Sequence, residues 1–132
     1  MIGLDTNILV RYITQDDEAQ AALANRLIEA SCTKQTPGHV AQIVLCELVW
    51  VLCRAYGYGK QQIIPVIERL LSAAEIEVQH EGIARAALEA WRNGPADYSD
   101  YLIALANQAA GCEVTYSFDS RLAQHPGVAI PA

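Results

Sequence analysis

Short apolar segments of strand length alternate with segments of helical period along the whole chain, and this alternation restricts it to the α/β class. Strands are expected at residues 1–5, 39–40, 75–79, 113–118 and 128–130. Helices are expected at 6–13, 16–29, 42–56, 60–73, 81–92 and 99–110, with one further helical turn at 120–124. Punctuation supports the boundaries: Gly57 and Gly59 close the third helix, Asn93-Gly94-Pro95 breaks the fifth, and Gly111 ends the sixth. Pro65 falls inside the fourth helix, where its missing N–H predicts a kink or a late start. Helices between strands imply a sandwich around a mostly parallel sheet of four to five strands. Such sheets gather their sites at the C-terminal strand ends.

At 132 residues the chain is expected to be one domain, 1–132, with no repeat or linker. A hydrophobic share of 52% against 18% charged residues excludes a disordered segment. The longest apolar run, residues 43–53, is interrupted by Glu47 and falls short of the roughly 20 residues of a membrane span. No basic region precedes the first strand, so no secretory leader and a cytoplasmic location are expected. Cys32, Cys46, Cys53 and Cys112 form no CxxC pair and read as buried free thiols. The net charge of −6, with nine Lys and Arg, excludes broad electrostatic grip on nucleic acid. A chain like this acting on nucleic acid needs its negative charge neutralised where the substrate docks.

Five acids stand out by position. Asp5 ends the first strand, Glu47 lies within V-L-C-E-L-V-W, Asp97 and Asp100 flank the start of the sixth helix, and Asp119 ends the fourth strand in Y-S-F-D. Each has a purely structural reading. Asp5 and Asp119 suit helix caps, and Asp97 with Asp100 suits a capping box. Glu47 among apolar neighbours reads as a buried carboxylate, which costs several kcal/mol unless a cation or hydrogen bonds compensate. Arg11 or Arg54 would supply an ordinary ion pair.

Together the acids say more. Carboxylates held close repel one another, and a hard divalent cation relieves the conflict. One or two such ions can activate water and steady a phosphodiester under in-line attack. His39, His80 and His125 are scattered and form no rival constellation. A phosphatase of the aspartyl-phosphate class would want an acid where Asn7 stands. A receiver domain would want an acidic pair directly after the first strand, whereas Asp16-Asp17 follows a helix. Neither a Walker loop nor a GxGxxG turn is present.

The segments M-I-G-L-D-T-N-I-L-V-R-Y, L-C-E-L-V-W-V-L, A-D-Y-S-D-Y-L-I-A and G-C-E-V-T-Y-S-F-D, in this order, resemble PIN domains of the VapC toxin type, from Met1 to about Leu122. The resemblance implies a three-layer α/β/α fold and magnesium- or manganese-dependent cleavage of RNA. It casts Asp5 and Asp100 as the principal metal ligands. Glu47 and Asp119 complete the site directly or through water, and Asp97 is an additional acid. Thr6 and Asn7 would orient Asp5, and Ser117 holds a position often taken by a small hydroxyl residue. Ala41 departs from the pattern, since many relatives place a Ser or Thr there.

The resemblance also implies a homodimer and a small antitoxin that wraps the toxin, blocks its acidic site and itself binds DNA. Exposed apolar surface is expected where that partner lies. Two other readings stand beside the ribonuclease: a PIN fold that binds and regulates without cutting, and a DNA-directed nuclease using the same acids. Fold alone does not separate them.

Overall fold

The computed structural model describes residues 1–132. Two compact units divide the chain, Met1–Glu81 and Gly82–Ala132.

The first unit opens with α1 (Thr6–Thr14), whose N-cap Asp5 accepts the Thr6 N–H at 2.8 Å. Asp17 caps α2 (Glu18–Ser31) through the Gln20 N–H at 2.9 Å. Then follow β1 (Gly38–Val40), α3 (Gln42–Arg54), α4 (Lys60–Ser72) and β2 (Ile76–Val78). β1 and β2 pair in parallel, with His39 opposite Glu77. Leu9, Val40, Leu45, Leu48, Leu52, Ile63 and Ile67 form the fully buried centre.

The structure corrects two expectations and adds a contact to a third. Residues 1–5 do not make a full strand: they contribute one parallel bridge, Gly3 to His39, before Asp5 turns the chain into α1. α4 runs unbroken from Lys60 through Pro65, so of the kink or late start expected at the proline the late start is excluded. Pro65 is exposed, and its cost of about 3 kcal/mol is outweighed by burying six aliphatic side chains on the other face, each contributing about 1.5–3 kcal/mol. α3 lacks a side-chain cap at Ala41, as its sequence implies. Gln79, just after β2, supplies one instead by accepting the Gln42 N–H at 3.0 Å.

The corner between α1 and α2 is tied to the residues after α3. Asp16 accepts the Tyr56 hydroxyl at 2.6 Å, the Thr14 hydroxyl at 2.7 Å and Arg11 Nη1 at 3.0 Å. The Tyr56 bond first, then Thr14 and Arg11, hold the Asp16 carboxyl well below the usual carboxylate range. A depressed folded pKa gives stability that is present above the unfolded value and lost as pH falls through the folded one. Asp16→Asn is therefore expected to lower Tm at neutral pH, with the two melting curves converging only in strong acid. Melting temperature followed from pH 7 down to pH 2 checks this; a constant gap throughout would contradict it.

The second unit holds α5 (Glu81–Asn93, whose first residue closes the first unit), α6 (Tyr98–Ala109), β3 (Thr115–Tyr116), a 3₁₀ turn at Leu122–Gln124 and β4 (Val128–Ala129). β3 and β4 are again parallel, Thr115 opposite Val128. Its core sets Trp91, Tyr98 and Tyr101 among aliphatic side chains such as Leu88, Leu102 and Leu122: Trp91 and Tyr98 lie 5.6 Å apart, and Tyr98 donates to the Ala84 carbonyl at 3.0 Å. The class is α/β with parallel pairing, as expected. The strands are shorter than the sequence suggests and form two separate pairs rather than one continuous ladder. No helix is long and apolar enough to cross a membrane.

Candidate active site

In the first unit the acids meet at the start of α1. Capping α1 takes one Asp5 oxygen. The Thr6 hydroxyl, one residue on, donates to Glu47 Oε1 at 3.0 Å across 41 positions of sequence. One threonine thus steadies both acids, by its backbone N–H and by its hydroxyl. The second oxygen of each carboxylate carries no hydrogen bond. Asn7 is exposed and does not bond Asp5.

Glu47 is exposed, contrary to the expectation of a buried carboxylate. It shares an outer face of α3 with Ile43 and Trp50, which are 70% and 62% exposed, at the i, i+4, i+7 spacing. The apolar residues around it thus form two faces, only one of which is core. Neither expected cation pairs with it: Arg11 bonds Asp16, Gln20 and Tyr56, and Arg54 is exposed.

The second unit assembles a second group. Asp97 holds the N-cap position of α6, and its N–H donates to Asp100 Oδ2 at 3.2 Å, so the capping arrangement expected from the sequence is present on that side. Asp119 N–H donates to Ser117 Oγ at 3.0 Å, so the Ser117 hydroxyl holds the backbone of Asp119. Asp119 Oδ1 accepts the N–H groups of Arg121 at 2.9 Å and Leu122 at 3.4 Å, capping the 3₁₀ turn. Arg121 completes the group: its Nη2 lies 3.3 Å from Asp119 Oδ2 and 4.0 Å from Asp97 Oδ2. Sequence reasoning did not single out this ion pair, because it is made by the turn after β3 rather than by any motif.

The electrostatics follow from these contacts. Partial burial, with the charges of Asp97 and Asp119 adding to it, pushes the Asp100 carboxyl up. The Arg121 side chain, then its backbone N–H, pulls Asp119 down. Capping and chemistry do not exclude one another here, since a cap needs one carboxylate oxygen and leaves the other.

Donor chemistry in both units is oxygen only, which suits a hard divalent cation. Asp5, Glu47 and Asp100 each keep an oxygen without a hydrogen bond, whereas both Asp119 oxygens are engaged. No three His, Cys, Asp or Glu side chains stand at metal-ligand spacing as the side chains lie. The histidines take no part: His39 pairs with Glu77 at 2.8 Å, His125 packs edge-on against Tyr101, and His80 is exposed. All four cysteines are free. Cys32 is buried and Cys46 half-buried, but Cys53 and Cys112 are exposed, which corrects the expectation that all were buried.

A comparison with curated proteins found no match. A family model described as PIN domain matches residues 2–128, in agreement with the α/β/α fold that the sequence resemblance implies.

Proposed function

The chain belongs to the PIN-domain family, a family of nucleases in general, and on that premise we propose that it is a magnesium- or manganese-dependent endoribonuclease, the toxin of a toxin–antitoxin pair. The observation that carries this reading is the convergence of Asp5 and Glu47 on Thr6. Two exposed acids far apart in sequence, steadied by one residue with an oxygen left over on each, serve no evident packing purpose.

Asp5 and Asp100 are the principal metal ligands in this proposal. Glu47 and Asp119 complete the set directly or through water, and Asp97 adds further negative charge. Thr6 orients Asp5 and Glu47, and Ser117 orients Asp119. A divalent ion bound to these acids would supply an activated water and charge neutralisation at the phosphodiester. The residues themselves hold local geometry: helix termini fix the carboxylates of Asp5 and Asp100. The 3′ oxygen leaves, giving a 5′-phosphate product. RNA enters with few protein cations to meet it, so neutralisation at the acids is the main electrostatic help.

The partners proposed are an antitoxin, a second copy of the chain in a homodimer, and RNA, all in the cytoplasm. A groove of about 780 Å³ in the first unit, lined by Leu9, Tyr12, Ile28, Val66 and Leu70 among others, suits an apolar partner segment.

Purified protein incubated with single-stranded RNA and magnesium is expected to release fragments with 5′-phosphates. Excess EDTA is expected to abolish cleavage, and added Mg²⁺ or Mn²⁺ to restore it. Cleavage that persists in EDTA, or intact RNA in the presence of either metal, would contradict the proposal.

A further inference from the structure

Arg121 stands where a cation serving Asp97 and Asp119 would compete. Asp119 Oδ1 is occupied by two backbone N–H groups, which leaves Asp119 Oδ2 and Asp97 Oδ2 as the oxygens of that pair facing a positive charge. Arg121 Nη2 faces both, at 3.3 and 4.0 Å. Its Nε also lies 3.4 Å from Asp119 Oδ1, so the guanidinium straddles the carboxylate with both of its near nitrogens. The side chain is half exposed, so turning it out to water costs little beyond an ion pair of modest strength.

We propose that Arg121 is a built-in counter-ion of the acidic site: it neutralises Asp119 and Asp97 when no metal is bound, and must withdraw for Asp119 to serve a metal ion. The inference rests on the metal-dependent reading above. A guanidinium and a divalent ion draw on the same carboxylate oxygens, so the affinity for metal is set by a difference between two cations rather than by the acids alone. Without metal, Arg121 relieves the repulsion among Asp97, Asp100 and Asp119. Once metal is bound, the arginine is redundant for that purpose. Arg121 is thus a positioning residue that acts through Asp119, and it keeps metal affinity moderate.

The test is Mn²⁺ binding by isothermal calorimetry, with melting temperature measured with and without Mn²⁺, for the parent and Arg121→Gln. The variant is expected to bind Mn²⁺ more tightly by up to about fivefold, the range set by losing one exposed ion pair. Its Tm is expected to fall without metal and to rise more than the parent's on adding Mn²⁺. Arg121→Lys, which keeps the charge but loses the fork, is expected to lie between the two. It also carries the test should Arg121→Gln fail to fold. Unchanged Mn²⁺ affinity in the variants, with an equal Tm loss in both conditions, would make Arg121 a structural clamp and overturn the inference while leaving the nuclease reading intact. Unchanged Mn²⁺ affinity with weakened RNA binding would assign Arg121 to the substrate and overturn it equally. No Mn²⁺ binding by the parent or by any variant would overturn both.

Discussion

Asp5→Asn and Asp100→Asn are each expected to slow RNA cleavage by about 10²–10³-fold while leaving the fold intact. Charge stabilisation by a metal site contributes several kcal/mol to the transition state, and each 1.36 kcal/mol is tenfold in rate. The amide keeps the shape and the hydrogen-bond acceptor of the acid. Asparagine caps helices about as well as aspartate, so Asp5→Asn keeps the bond from the Thr6 N–H. Asp100→Asn likewise retains an oxygen for the Asp97 N–H. What each variant loses is negative charge aimed at a cation. Single-turnover cleavage measured beside Tm separates the two effects: a large rate loss at unchanged Tm supports the roles given to these acids. Parent-like cleavage by either variant would remove that acid from the site.

Gly94→Ala is expected to be the most damaging single methyl in the second unit. A Cβ at Gly94 collides with the Tyr101 hydroxyl and comes within 2.9 Å of the Ala90 carbonyl oxygen. Tyr101 is buried, and its hydroxyl accepts the Ala96 N–H at 3.1 Å, which fixes the turn that delivers Asp97 to the start of α6. The methyl therefore overpacks a tight corner, at about 1–3 kcal/mol, and strands a buried N–H, at about 1–3 kcal/mol more. A Tm fall of about 10 °C is expected from a chain of this size. Tyr101→Phe alone loses only the hydroxyl bond, at about 1 kcal/mol. In the double variant Gly94→Ala/Tyr101→Phe the worst collision is gone but the 2.9 Å approaches to the Ala90 carbonyl oxygen and the residue-101 ring remain, so the loss is expected to shrink while staying larger than that of Tyr101→Phe alone. Calorimetric melting of the three variants checks the coupling, and a parent-like Tm for Gly94→Ala would show that the corner yields.

The helices were legible because each carries an apolar face at helical spacing between recognisable stops. α4 is the clearest case, where six buried aliphatics override an internal proline. The strands were less legible. Two or three residues carry little periodicity, and Asp5 cannot both cap α1 and extend a ladder. The five acids were found by position alone, yet Glu47 is not the buried carboxylate that its neighbours imply. Apolar neighbours do not distinguish a buried helix from one with a second, exposed apolar face, and Ile43 and Trp50 lie on the exposed one. The Thr6–Glu47 bond spans 41 positions, and the Arg121 pairing depends on how a turn folds back. Neither has a sequence signature. Gln79 capping α3 in place of Ala41 is a third contact of this kind, since the missing hydroxyl was visible and its replacement was not.

The proposed chemistry requires carboxylates from both halves of the sequence to serve a common divalent ion. Calorimetric Mn²⁺ titration of the parent, Asp5→Asn and Asp100→Asn reads this directly. Saturable binding is expected for the parent, with a weakening of about tenfold or more in each single variant, the scale on which site partners affect metal affinity. Parent-like Mn²⁺ affinity in either variant, or no saturable binding by the parent, would contradict it.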